Sequence, residues 1–126
     1  MRALDSGLLS LIASWAAQRA PNLAKQLEAV VHVRTEDHRD AGYMLHFRAA
    51  SPSLLSSEER KLVGAPPSCL SGAASLMSLD NVLSVQLWFD ANGLANALEV
   101  GTFSLPFDAS WRDQVPTSVH FEFADA

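Results

Sequence analysis

Leu4, Leu8, Leu11, Ile12 and Trp15 recur at helical spacing, while Asp5, Ser6, Ser10, Ser14 and Gln18 occupy the opposite side. The pattern predicts an amphipathic surface helix that packs one stripe on a core, with Trp15 inside that stripe. Pro21 breaks or restarts the helix, and Leu23 and Leu27 predict another turn or two before the chain straightens. From Ala29 the period falls to two. Ala29, Val31 and Val33 alternate with Val30, His32 and Arg34. After the polar run from Glu36 to Asp40, Tyr43, Leu45 and Phe47 alternate with Met44, His46 and Arg48. This predicts a hairpin with one apolar and one mixed face. Pairing symmetric about Arg39 matches Val31 with Phe47, Val33 with Leu45 and His32 with His46.

Residues 50 to 81 hold eight serines, three prolines and two glycines. Ser56-Ser57-Glu58-Glu59 has the capping-box spacing and Gly64 is a plausible stop, so a short helix is expected there, with a second near Leu70 to Met77. The strongest local signal is the alternation from Leu83 to Val100, interrupted by Asp90-Ala91-Asn92-Gly93. Asn-Gly suits a two-residue type I′ turn. Closure there pairs Leu87 with Leu98 and Val85 with Val100 on the apolar face, and Trp88 with Ala97 and Gln86 with Glu99 on the other. Val119, Phe121 and Phe123 alternate with Ser118, His120 and Glu122 as a last strand, the fifth.

With 126 residues the chain is a single domain, residues 1–126. Its charge is uneven. Residues 1 to 63 carry eight Lys/Arg against seven Asp/Glu, whereas residues 64 to 126 carry Arg112 alone against seven acids. No cluster of Lys and Arg is present to release counterions from a phosphate backbone, which argues against nucleic acid as a partner and towards a basic protein. The lone Cys69 offers no disulfide and no paired-Cys zinc spacing, so a reducing cytoplasm is the natural compartment. Leu8 to Ala17 is apolar enough to raise the question of a signal peptide. Asp5 before it, Arg19 after it and the leucine spacing fit the amphipathic helix better. The run also falls short of the ~20 residues that a membrane span needs.

The pieces Gln26-Leu27, Val33-Arg34, Gly42-Tyr43 with Phe47, and Asp90-x-Asn92-Gly93-Leu94-x-x-x-Leu98-Glu99 resemble a broad group of small uncharacterised bacterial α+β proteins. Some of that group are similar to immunity proteins of polymorphic toxin systems. The resemblance covers about half the chain in order. It implies a fold and a bacterial cytoplasmic setting, and carries no catalytic motif.

His32, His46 and His120 fall on the non-core face in the predicted register, with Glu99 and Glu122, and neutral imidazoles on neighbouring strands could bind zinc. A solvated face on which His alternates with Arg34 and Arg48 is the preferred reading, and no metal or other cofactor is expected. Cys69 has no neighbouring cation or base, and neither a nucleophile elbow nor a phosphate-cradling glycine loop is present. Trp88 is more informative. The register sets its indole on the outer face, where it either anchors a partner or packs beneath residues 50 to 81. Trp111, in a polar loop, is expected to tether that loop to the core.

These observations predict an α+β domain whose N-terminal amphipathic helix packs on a mainly antiparallel sheet of about five strands. The function expected is a non-enzymatic protein-interaction module, immunity-like, that meets a basic protein through Trp88, Asp90 and Glu99. The competing expectation is a small-ligand or metal-dependent enzyme with a pocket between helix, sheet and the 50–81 segment. A homodimer with outer faces meeting is a third.

Overall fold

The computed structural model describes residues 1–125. Two helices, α1 (Ala3–Ala16) and α2 (Pro21–Glu28), are followed by β1 (Val30–Asp37), β2 (Tyr43–Ala49), a short helix α3 (Ser57–Leu62), β3 (Ser68–Ser75), β4 (Leu83–Phe89), β5 (Ala95–Thr102) and β6 (Ser118–Phe121). The strands form one antiparallel sheet in the order β1-β2-β5-β4-β3-β6. The α+β class and the N-terminal helix are as expected, with one strand more.

Leu4, Leu8 and Ile12 of α1 are fully buried against the sheet face carried by Leu45, Leu83, Val85, Leu87, Leu98 and Val100. Each such side chain contributes about 1.5–3 kcal/mol by leaving water. Trp15 stacks on Phe123 at 4.2 Å between ring centroids and meets Phe121 at 5.5 Å. Pro21 opens α2 at a position where its missing N–H costs nothing. Ala20 has no side chain to cap that helix. Glu59 of α3 does it instead, accepting from the Asn22 and Leu23 N–H groups at 2.9 and 3.2 Å. Gln26 is buried between α2 and the β4–β5 turn. It accepts from the Ala95 N–H at 2.8 Å and donates to the Ser53 and Gly93 carbonyls.

The β4–β5 pairing follows the predicted register at Val85–Val100, Gln86–Glu99, Leu87–Leu98 and Trp88–Ala97. Its turn differs. Gly93 alone is left-handed, at φ +78°, and its N–H donates to the Asp90 carbonyl at 3.0 Å, so Asp90 to Gly93 form a type I turn. The pairing then jumps from Trp88–Ala97 to Phe89–Ala95. The extra residue, Asn96, keeps the register that a two-residue turn would have given.

Two further expectations are corrected. The expected helix near Leu70 to Met77 is the strand β3, between β4 and β6. Leu70 and Ala74 face the core, and Gly72 is required because a Cβ there would lie 2.5 Å from a Phe121 ring carbon. The β1–β2 register is also different. A 3-10 turn at Arg39–Ala41, closed by Gly42 at φ +114°, sets Arg34 opposite His46 and Thr35 opposite Leu45. A bulge at Val33 then flips the start of the strand, so that His32 pairs with Phe47 and Val31 with Arg48.

Candidate functional site

The helices cover one face of the sheet. On the other, successive cross-strand neighbours form two rows running from β1 to β3. One is Arg34, His46, Ala97, Trp88 and Cys69; the next is Glu36, Met44, Glu99, Gln86 and Ser71. The central part of residues 50 to 81 is β3 within the sheet and α3 sits at the start of α2, so neither lies over this face. Trp88 is 38% exposed. Opposite it, Ala97 leaves the indole room to reach diagonally and donate its Nε1–H to Glu99 Oε1 at 3.2 Å. One edge of the ring is thereby fixed while the aromatic surface stays open to solvent.

Asp90 is not part of this arrangement. Its Oδ1 accepts from the Asn92 and Leu94 N–H groups at 2.9 and 3.0 Å, so the carboxylate organises the turn. The acids of the second half do not converge either. Asp113 pairs with Arg2 at 2.8 Å, which holds its carboxyl below the usual range, and Asp125 pairs with Arg19. The sequence asymmetry is thus partly cancelled by arginines from the first helix and its end.

At the β1–β2 end of the face, Glu36 gathers three cationic or imidazole groups. His38 Nε2 and His46 Nε2 lie 2.8 and 3.1 Å from its two carboxylate oxygens, and Arg34 donates at 3.0 Å. These contacts, with His38 foremost, pull the Glu36 carboxyl down to about 2. Of the three histidines considered for metal, only His46 is at this cluster. The bulge turns His32 to the helix side, 2.9 Å from Thr35 Oγ1, and His120 is on β6 at the far edge. Among the described residues no group of three His, Cys, Asp or Glu side chains is arranged to hold a metal ion. Cys69 neighbours Trp88 across the strands; burial pushes its thiol up, away from the reactive thiolate.

A buried polar network lies where the sequence predicted a solvated residue. Asp5, fully buried, accepts from the Tyr43 hydroxyl at 2.6 Å, from Arg112 Nη2 at 3.2 Å and from the Arg2 N–H at 3.2 Å. Arg112 stacks 4.1 Å over the Tyr43 ring, and burial together with Asp5 pushes the Tyr43 phenol far up. Trp111 packs edge-on against Phe107, tethering the loop as expected. In front of the network is a cavity of about 500 Å³, bordered by Arg2, Arg39, Arg112, Asp37, Asp40 and Tyr43. A second, of about 490 Å³, runs beside Leu9, Ala13, Leu27 and Val30. Residues 50 to 81, where the competing expectation placed a pocket, border two smaller depressions, one of about 270 Å³ at Ser71 to Ala73 beside Phe103 and His120 and one of about 80 Å³ at Leu79 and Asn81. In the polar cavity Arg2 and Arg112 are already engaged by Asp113 and Asp5.

Comparison with protein-family models, with curated proteins and with solved structures gave no match. No helix among the described residues is long and apolar enough to cross a membrane.

Proposed function

We propose that the chain is a non-enzymatic protein-interaction module that docks its partner on the helix-free face of the sheet. Trp88 is the anchor and Glu99 positions it. The observation that carries this reading is an exposed indole, hydrogen-bonded along one edge, on the sheet face opposite the helices among the described residues. Aromatic side chains held in this way supply contact area with little rotamer entropy to lose, which is why tryptophan dominates interface energetics. The partner is basic where it meets Glu99. At the β1–β2 end Glu36 already engages Arg34 and His46, and exposed Arg48 is the group that favours an acid, so charge fixes its orientation. The resemblance seen in the sequence adds an immunity-like role in the bacterial cytoplasm, with a toxin encoded beside this gene as the partner.

A photo-crosslinking residue at Gln86 or Ser71, on this face, is expected to trap a protein in the native host. The same residue at Lys25, on exposed α2, is expected to trap none. Equal trapping from both sides, or none from either, would count against this face.

A further inference from the structure

We propose that β1 pairs with β1 of a second copy, antiparallel about Thr35, to join two sheets into one. β1 is an eight-residue edge strand with no strand beyond it among the described residues, whereas the opposite edge, β6, has four residues. The His38 N–H donates to the Gly42 carbonyl at 2.9 Å, which sets the ladder's alternation. Arg34 and Glu36 direct their backbone groups to β2, and Thr35 and Asp37 direct theirs to the open edge. Thr35 opposite Thr35 of the second copy therefore exchanges two backbone hydrogen bonds.

Charge selects the same register. Centring the pair on Arg34 would oppose two arginines, and centring it on Glu36 would oppose two glutamates. Centring it on Thr35 sets Arg34 against Glu36 twice, at the closely spaced positions where side chains meet. Charged edge strands normally deter pairing, and the Val33 bulge does so for the first half of β1. What remains is a short segment, Arg34-Thr35-Glu36, whose charges complement those of its own antiparallel copy. Opposed residues of an antiparallel pair share a face, so both Trp88 indoles emerge on one side of the joined sheet and both α1 helices on the other. The three residues that then pair, Arg34 to Glu36, bury much less than the ~1,600 Å² of a standard stable interface, so the association is weak and concentration-dependent.

The test is sedimentation velocity from low micromolar to millimolar concentration on the wild type, Arg34→Glu, Glu36→Arg and their equimolar mixture. Dimers are expected for the wild type, association about tenfold weaker for each variant alone, and recovery in the mixture, where opposite charges face again. A wild type that stays monomeric, a dimer indifferent to both variants, or a mixture without recovery overturns the proposal. A second measurement avoids charge changes: Thr35→Cys in a Cys69→Ser background should oxidise to a covalent dimer faster than Ser57→Cys in the same background. Equal rates overturn it as well. Neither measurement depends on Trp88, so the dimer and the docking face fail separately.

Discussion

Asp5→Asn removes one charge and almost no volume from the network that ties α1 to β2 and to residues 109–113. The Asp5 side chain is 1% exposed and Arg112 16%. Asparagine can still accept from the Tyr43 hydroxyl, but its amide presents hydrogens where the carboxylate accepted from Arg112 and from the Arg2 N–H. Breaking a buried pair by removing one partner costs about 3–5 kcal/mol, mostly because the remaining charge stays out of water. The residual access of Arg112 lowers this to about 2–4 kcal/mol. For a chain of this length, at about 4 °C per kcal/mol, Tm falls by about 8–16 °C. Thermal and urea melts followed by circular dichroism at constant neutral pH measure it. Asp5→Leu with Arg112→Met removes both charges and is expected to recover at least about 2 kcal/mol relative to the summed single substitutions. A loss below about 0.5 kcal/mol for Asp5→Asn would show that the network does not hold the helix to the sheet.

Gly93→Val forces a branched side chain into φ +78° and sets its Cβ 3.1 Å from an Arg60 nitrogen and 3.3 Å from Leu55. A loss of about 1–3 kcal/mol in urea melts is expected, and unchanged stability would contradict the turn assignment. The Glu36 carboxyl, followed by carbon-detected NMR, is expected to titrate near 2, and His38→Ala with His46→Ala to return it towards 4.5. Because the folded value is the lower one, its stabilising effect is complete above 4.5 and is lost as pH falls through about 2. A midpoint near 4.5 in the wild type would contradict the cluster.

The β4–β5 hairpin was legible because face alternation and turn chemistry agreed, and the register survived a different turn because Asn96 supplies the missing residue. β3 was not. Leu70-Ser71-Gly72-Ala73-Ala74 is built of small residues because Phe121 lies on Gly72, and small residues erase the period that distinguishes strand from helix. The β1 bulge left no signal, since Val31 and Val33 look like core positions and are 37% and 58% exposed. Asp5 and Gln26 were missed for the opposite reason. Asp5 is one turn before Leu9, and Gln26 stands between Leu23 and Leu27, so both occupy apolar stripes and are buried with their partners. A polar residue at a stripe position was the available signal. Trp88 and Glu99 were placed together by the hairpin register, whereas Asp90 was separated from them by the turn that it caps.

The docking face is tested most directly by Trp88→Ala against a partner trapped at that face. Removing an exposed indole is expected to leave Tm within a few degrees of the wild type. Dissociation of the partner should accelerate about thirtyfold or more, the equivalent of about 2 kcal/mol, with association little changed. Val115→Ala, exposed at 69% outside the sheet, is the matched control and should bind as the wild type does. Wild-type dissociation by a folded Trp88→Ala protein would contradict the account.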